Sequence, residues 1–449
     1  MCLAHSTYKC VIEVRSMQSL NGIKPLIVLV ASSINIIYFQ TVLANESATN
    51  KPSHGIIHHT ELLTIEAAVE RALNLTPRLQ SANSKLDAAQ GAQLQAGLLP
   101  NPELAIEAEN FSGSDDFGGI NSAEYTFSLN QKIELGGKRD ARKQVAQASY
   151  AMAQEDVSIE RLNITQAVHT AYLNVLAETQ SLTLAIEQEQ LAKDVLANVS
   201  NRVQSAAESE IQQSKAEVNV ATSLILREQT NRQLEIAKHR LAKLWNESTL
   251  TENLNSQYLL NIEEPNNYES YLKRLEQVPD MQKISYQRTQ MNSLFNLAKT
   301  ERIADPTVSI GVRRFEEGSD NAFLVGVSVP LQIFNKNQGN VAKAHAETLQ
   351  AQSDAQQFKL NLEQALFENW HTWKTAYIEA THLKTQLIPA AEETFQLAQS
   401  AYNRGRFTYL EVLDAQRTLI DARNQYLNTL INFHTAQINV KRLSNSFGE

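Results

Sequence analysis

The chain has 449 residues, of which 43% are hydrophobic and 20% are charged, and its formal net charge is −9 at pH 7. Its length is sufficient for buried cores, but its low aromatic content of 7% and its tracts of Ala, Leu, Gln and Glu are typical of long helices. The acidic balance, without clustered Lys and Arg, disfavours a nucleic-acid surface, so no nucleic-acid partner is expected.

Residues 1–44 are predicted to be a signal peptide. The apolar run at 26–30 begins a hydrophobic stretch, and Val42 and Ala44 are small residues that suit a cleavage site. An uncleaved N-terminal anchor is the alternative, because the lengths of the two kinds of segment overlap. Met17 is an alternative start of the chain. Both interpretations direct the protein out of the cytoplasm.

The residues on either side of the predicted cleavage site do not form a strong candidate for a metal site or a reactive thiol. The only cysteines, Cys2 and Cys10, precede the cleavage site, so the mature chain would have no thiol for a disulfide or a lipid. Residues 45–61 are predicted to be a flexible segment. Imidazoles alone do not define a site, so this segment offers only weak metal candidates, which are His54, His58 and His59.

Beyond the signal peptide there is no second apolar run of the ~20 residues that a membrane-spanning helix needs. Any membrane crossing would therefore use strands. Alternation of apolar and polar residues predicts four short strands, at about 102–110, 124–133, 306–315 and 322–331. Lipid on one face and water on the other would explain this alternation, and soluble amphipathic hairpins would explain it equally well.

Long helices follow each predicted pair of strands. No Gly or Pro occurs from Lys138 to Glu264, and the tract has helical periodicity. Near the C-terminus, apolar residues recur every seven positions from Val412 to Val440. The predicted long helices cover about 138–200, 208–245, 338–402 and 408–444. Pro389 is expected to bend the third of them.

The chain is an internal duplication with a shift of about 199 residues, which aligns Leu241 with Val440. The first repeat is predicted at 62–246, a linker at 247–265 and the second repeat at 266–446. Each repeat has the same order of elements: short helices, a strand hairpin, a long helix, a tip and a long return helix.

The chain carries no recognisable catalytic centre. We find no arrangement of nucleophile, base and oxyanion donors, and Gly136, Gly137 and Lys138 lack the full spacing of a phosphate-binding loop. We therefore predict that the protein is not an enzyme and uses no cofactor.

Several motifs resemble those of the TolC-like outer membrane factors, and within them the cobalt-zinc-cadmium resistance branch. These motifs are GLLPNPEL at 97–104, QKIELGGKR at 131–139, VPLQIFNKNQGN at 329–340 and YNRGRFTYLEVLDA at 402–415. The resemblance implies a mixed α/β membrane protein that forms a homotrimer in the cell outer membrane, with a large periplasmic portion. Each protomer would give four strands to one lipid-embedded β-barrel and four long helices to a periplasmic cylinder. A closed barrel would leave no strand edge unpaired.

The resemblance also implies a periplasmic gate at the tip of the second long hairpin. It assigns gate carboxylates to Glu411 and Asp414 and a gate tyrosine to Tyr402. Three-fold symmetry would bring six such carboxylates around the axis, where they would attract cations and exclude anions. From the residues alone, the favoured interpretation of the two carboxylates is solvated charge on a helix or partnership with the helix N-terminus, and the resemblance reverses this preference.

The same tip is expected to dock a periplasmic adaptor protein. Gly405 suits a turn with positive φ, whereas its first-half counterpart is Ala206, and this departure predicts a different turn in the first hairpin. Thr408 and Tyr409 are expected to be exposed, and Leu410 to be exposed or packed. The candidate docking residues are Arg404, Gly405, Thr408, Tyr409, Leu410, Ala206 and Glu208.

The predicted function is that of the outer-membrane channel of a tripartite efflux pump, with an adaptor and an inner-membrane transporter of the RND type as partners. The channel would passively conduct divalent heavy-metal cations of cobalt, zinc or cadmium. One alternative is a duct for drugs or other organic compounds, or for type I secretion. A second alternative is a periplasmic coiled-coil protein that forms no channel.

Overall fold

The computed structural model of the protein describes residues 62–448. The predicted signal peptide at 1–44 and the predicted flexible segment at 45–61 lie outside these residues. The three candidate metal ligands His54, His58 and His59 are also outside them.

The first half of the described chain contains two short helices, a strand hairpin and two long helices. Helix α3 is 67 residues long, and it follows the hairpin directly. The elements in order are α1 (Ile65–Leu75), α2 (Pro77–Ala96), β1 (Glu103–Glu109), β2 (Glu124–Lys132), α3 (Lys138–Gln204) and α4 (Glu210–Lys243).

The second half repeats this order after a connecting segment that contains two short helices. These elements are α5 (Gln257–Leu260), α6 (Tyr268–Leu272), α7 (Pro279–Thr300), β3 (Thr307–Phe315), β4 (Asn321–Ser328), α8 (Gln338–His382), α9 (Ile388–Asn403) and α10 (Tyr409–Leu443). A π-helical turn, Leu383–Leu387, connects α8 to α9.

The π-helical turn divides the third long helix that the sequence predicts at 338–402. Pro389 lies in the first turn of α9, immediately after the π turn. Proline has no N–H to donate to the carbonyl four residues earlier, which is that of Thr385, so regular α-helical bonding cannot continue through this point. The helix accommodates the missing bond by widening for one turn.

The four strands form one antiparallel sheet in the order β1-β2-β3-β4. Its register aligns Leu104, Leu129, Ile310 and Val325 across the strands, on the same face. This apolar face is open: Phe323 and Val325 on β4 are 91% and 80% exposed. An apolar surface of this kind is stabilised by lipid or by a partner rather than by water.

The opposite face of the sheet is polar. Its register aligns Glu103 with Asn130, Ser309 and Gly326. Near the other end of the strands, Arg313 forms ion pairs with Glu109 and Glu124 at 3.0 and 2.8 Å. The two faces therefore differ in chemistry along the whole sheet, as the alternation in the sequence predicts.

Helix α3 organises the helical part. Close to the sheet it packs against α2 and α7, and α7 packs against α8. Towards its other end it packs against α4 and α10, and α10 packs against α9. The long helices therefore form a layer in the order α4-α3-α10-α9 at the end far from the sheet. None of the helices within residues 62–448 is both long and apolar enough to cross a membrane.

A buried polar contact joins the start of the described chain to the segment between the repeats. The Tyr172 hydroxyl on α3 donates to the Leu63 carbonyl at 2.7 Å and accepts from the Asn255 N–H at 3.0 Å. Leu63 also pairs with Leu254 in a parallel bridge. Because both hydrogen bonds are made, the buried hydroxyl stabilises this junction instead of destabilising it.

Candidate functional site

The second hairpin reverses direction in a tight turn between α9 and α10. Gly405 has φ +71°, in the left-handed region. Its N–H donates to the Tyr402 carbonyl at 2.8 Å, and the Arg406 N–H donates to the Ala401 carbonyl at 2.9 Å. This is the pair of bonds that ends a helix with a left-handed residue, and glycine adopts that conformation without a Cβ penalty.

The first hairpin uses the same turn, so the expectation of a different one is wrong. Ala206 has φ +55°. Its N–H donates to the Val203 carbonyl at 2.9 Å, and the Ala207 N–H donates to the Arg202 carbonyl at 2.8 Å. Every one of these positions is 199 residues before its counterpart in the second hairpin. Alanine occupies the left-handed region here because the cost, about 1–2 kcal/mol, is smaller than the loss of the whole turn.

Helix α10 begins with a capping box. The Glu411 carboxylate accepts hydrogen bonds from the Thr408 N–H and from the Thr408 hydroxyl, the latter at 3.0 Å. The Thr408 side chain in turn caps the N–H of Glu411. Glu411 therefore has the helix N-terminal role that the sequence left open, and its side chain remains exposed.

A groove of about 680 Å³ lies between α9 and α10 next to this cap. Leu397, Phe407 and Leu410 supply its apolar lining, and the carboxylates of Glu411 and Asp414 also face it. Asp414 is exposed one turn after Glu411. The tip thus combines an open apolar surface with two carboxylates, which suits contact with another protein and attraction of cations.

Arg202 connects the tip of the first hairpin to that of the second. Its Nη1 donates to the Tyr402 carbonyl at 2.8 Å, and its guanidinium carbon is 4.7 Å from the centroid of the Tyr402 ring. Tyr402 is buried, and burial raises the pKa of its hydroxyl. That hydroxyl has no hydrogen-bond partner among residues 62–448. The ring and the carbonyl, rather than the hydroxyl, therefore make the contact between the tips.

Tyr409 is buried, which corrects the prediction that it is exposed. It is 1% exposed and packs in a cluster with Tyr402, Val412, Val195 and Val199. Burial raises the pKa of its hydroxyl to about 12. The heptad pattern contained the signal for this placement, because Tyr409 lies three residues before Val412 on the apolar stripe of α10.

The remaining candidate docking residues lie on the surface of the tips. Leu410 is 69% exposed. Arg404 and Thr408 are exposed, and Arg404 bonds to the Ser400 hydroxyl at 3.0 Å. Glu208 is half-buried and accepts from the Ser209 N–H at 3.3 Å.

Two arginines that join the hairpins were not identified from the sequence. Arg202 is equivalent to Ala401 in the second repeat. A charged residue in one repeat opposite alanine in the other was the signal in the sequence that could have identified it. Arg423 on α10 pairs with Glu187 on α3 at 2.8 Å and also with Glu392 on α9. Together they tie the second hairpin to the first at the tip and further along α10.

The described part of the chain offers no metal-binding cluster: within residues 62–448, no three His, Cys, Asp or Glu side chains are grouped to hold an ion. Within one protomer, Glu411 and Asp414 therefore do not belong to such a cluster.

Comparisons with known proteins match nearly the whole described chain. The family model "Outer membrane efflux protein" matches residues 68–247 and 274–446. The cobalt-zinc-cadmium resistance protein CzcC of Cupriavidus metallidurans is 30% identical over 384 residues, which cover 85% of this chain and 90% of that protein. The nickel-cobalt-cadmium resistance protein NccC of Alcaligenes xylosoxydans xylosoxydans is 24% identical over 67% of this chain and 68% of that protein.

Solved structures have the same fold. CusC superposes with a TM-score of 0.73 and 17% identity, covering 85% of this chain and 91% of that chain. The outer membrane protein VceC of Vibrio cholerae superposes with a TM-score of 0.70 and 19% identity, covering 85% and 95%. The predicted TolC-like fold class is confirmed.

Proposed function

Because the chain belongs to the outer membrane efflux protein family, we propose that it is the exit channel of a tripartite RND-type pump for divalent heavy-metal cations. Its location is the outer membrane, with a large periplasmic helical part. The observation that carries the choice of cargo is the match over 85% of the chain to a protein named for cobalt, zinc and cadmium resistance. Relatives named for resistance to nickel, cobalt and cadmium support the same class of ion.

A homotrimer would complete the sheet and the helical layer. Strands β1 and β4 are the two edges of the sheet, and their outer backbone groups need partners in a lipid environment. At the far end of the helical layer, α4 is one edge, and it exposes Ile211, Val218 and Ile225 at intervals of seven residues. The opposite edge, α9, exposes Leu397. Head-to-tail contacts between unlike edges close into a ring.

The tips would then form the periplasmic entrance. Three copies of Glu411 and Asp414 would place six carboxylates near the axis, and such a ring would favour divalent cations over anions. Tyr402 would set the position of the gate through its contact with Arg202. The open apolar surface around Leu410 and the turn residues Gly405 and Ala206 would dock the adaptor protein.

The remaining parts of the machine would come from partners. A family of transport ducts needs no catalytic centre, and the energy for export would come from the inner-membrane transporter. The adaptor would connect that transporter to the tips. Lipid of the outer membrane would cover the apolar face of the sheet.

Growth assays test the proposed cargo. A deletion strain would be complemented with the wild type, with Glu411→Gln/Asp414→Asn, or with Asp421→Asn as a matched control. Asp421 is an exposed carboxylate on α10, one heptad from Asp414. Each strain would be grown on Zn, Co, Cd and Cu salts and on a panel of dyes and antibiotics.

Sensitivity confined to divalent metals, restored by the wild type and by the control variant, is the expected result. Partial restoration by the double variant would support a role of the two carboxylates in conduction. Sensitivity to drugs with normal metal tolerance would contradict the metal assignment and favour a duct for organic compounds. No sensitivity to either group would contradict the efflux function.

A further inference from the structure

A cavity of about 570 Å³ lies among α3, α4 and α10, above the tips and between the two long hairpins. Its apolar lining comes from all three helices: Leu184 and Leu191 on α3, Leu226 on α4 and Leu419 on α10. A volume of this size is within the range of small-molecule sites, and the lining suits a compact apolar body.

The charges around this cavity do not cancel. Its lining includes Glu178, Glu187 and Arg423. The Arg423 guanidinium is already neutralised, because it pairs with Glu187 at 2.8 Å and with Glu392. Glu178 is half-buried on α3 and has neither an ion pair nor a hydrogen bond within the part of the chain that the structure describes. One carboxylate therefore faces the cavity without a counter-charge.

The surroundings of Glu178 make that carboxylate a selective partner for a cation. Burial raises the pKa of Glu178 above its ordinary value, because the charged form loses part of its solvation, and no counter-charge in the protomer replaces it. A ligand with positive charge would supply that stabilisation, and an anion would meet repulsion from the unpaired Glu178. Amide groups of Gln229 and Gln233 also line the cavity and would accept hydrogen bonds from an ammonium group.

We propose that this cavity is a binding site for organic cations with an apolar body, and that Glu178 is their counter-ion. A bound cation would touch α3 and α4 of the first hairpin and α10 of the second. It would therefore hold the two hairpins at a fixed spacing, close to the Arg423 ion pairs. The site lies within one protomer, and it does not depend on which cargo the channel conducts.

Two ions of nearly the same shape and opposite charge test the proposal. The full-length protein, purified in a zwitterionic detergent, would be dialysed to equilibrium against tetraphenylphosphonium or tetraphenylborate, with the same detergent on both sides. The cation is expected to bind saturably, and the anion at least about tenfold more weakly. Equal affinity for the two ions, or no saturable binding of the cation, would overturn the proposal.

A matched pair of variants locates the charge. Glu178→Gln is expected to weaken binding of the cation about five- to tenfold and to reduce the preference over the anion. Glu155→Gln is the control, because Glu155 is a half-buried carboxylate on the same helix whose pKa is also raised by burial, and it lies outside this cavity. Equal effects of the two variants would contradict the assignment to Glu178.

A cavity-filling variant locates the apolar part. Leu226→Trp would occupy the cavity from α4, where Leu226 is partly exposed and tolerates a larger ring, and binding of the cation is expected to be lost. Unchanged binding would overturn the assignment to this cavity. Growth of the Glu178→Gln strain on metal salts is expected to match the wild type, so failure of this proposal and failure of metal export give different results.

Discussion

Arg202 and Tyr402 hold the two helical tips of one protomer together. The guanidinium of Arg202 donates to the Tyr402 carbonyl at 2.8 Å while it lies 4.7 Å from the centre of the tyrosine ring. The two residues belong to different repeats, so movement of the second hairpin away from the first must break both interactions. This contact gives the first of four predictions.

Replacing Arg202 is expected to loosen the tips. Arg202→Ala removes a charge-assisted hydrogen bond and a cation–π contact, together worth about 1–3 kcal/mol. In planar bilayers, we expect a larger single-channel conductance or a higher probability that the channel is open. Arg202→Lys keeps the charge but loses the planar fork, so its conductance should be intermediate.

Tyr402→Phe is the control for this measurement. The hydroxyl that it removes is buried and has no partner within residues 62–448, whereas the ring and the carbonyl remain. Its conductance should equal that of the wild type. A large change in Tyr402→Phe, or none in Arg202→Ala, would contradict the role given to the arginine.

The two tip turns should respond oppositely to exchange of glycine and alanine. Ala206→Gly relieves a left-handed alanine, and it is expected to raise the free energy of unfolding by about 0.5–1 kcal/mol. Gly405→Ala is expected to lower it by about 1 kcal/mol. An added Cβ at Gly405 would lie 3.8 Å from Arg202 Nη1, an ordinary contact, so the loss would come from the backbone.

Thermal unfolding of the purified protein measures both changes. Ala207→Gly serves as the control, because Ala207 is the next residue of the same turn and does not have positive φ. It should not raise the melting temperature. The same sign of change in Ala206→Gly and Gly405→Ala would refute the equivalence of the two turns.

Stability can separate the capping role of Glu411 from its charge. Glu411→Gln keeps an acceptor for the Thr408 N–H, so its melting temperature should stay close to that of the wild type. Thr408→Ala and Glu411→Ala lose the capping interactions and should each lose about 1 kcal/mol. If Glu411→Gln changes cation conductance without changing the melting temperature, the charge acts in conduction. If conductance decreases only in the variants whose melting temperature also decreases, the role of Glu411 would be capping alone.

The half-buried His169 predicts acid sensitivity of the helical part. Burial, followed by the nearby Lys441, lowers the pKa of His169 to about 4, while Glu66 acts in the opposite direction. Its Nδ1 lies 3.3 Å from the Tyr258 hydroxyl, and its ring lies 4.9 Å from that of Phe447. The folded state therefore favours the neutral imidazole.

The sign of the pH effect follows from this shift. The unfolded chain takes up a proton near pH 6.5 and the folded chain only near pH 4, so stability is full above pH 6.5 and falls as the pH decreases towards 4. The loss is at most about 3 kcal/mol. His169→Gln should reduce the decrease in melting temperature between pH 7 and pH 4.5, and His382→Gln, at an exposed position on α8, should not. An unchanged decrease in His169→Gln would contradict the assignment.

The sequence predicts the fold class because its strongest signals are periodic. Alternation along the four strands and heptads along α10 report which residues share a face, and the TolC-like fold is confirmed. The turn conformations and side-chain contacts at the tips depend on how the two repeats pack together. The periodicity of the sequence does not predict that packing. Ala206 was expected to change its turn because alanine rarely has positive φ, yet backbone hydrogen bonds in the surrounding helices hold it there.

The sequence likewise did not predict which side chains of the two repeats contact each other. Arg202 and Arg423 are ordinary charged positions on helical surfaces until the hairpins are placed side by side. The sequence also did not predict the π-helical turn before Pro389. A proline in a helix predicts a bend, but it does not predict how the hydrogen bonds are rearranged.

The open apolar face of the sheet has a consequence for the order in which the protein matures. A four-stranded sheet with two free edges and exposed Phe323 and Val325 is prone to aggregation in water. During transit through an aqueous compartment, this surface needs a holding chaperone or has to remain unstructured. We therefore expect the sheet to reach its final state only once lipid covers this face.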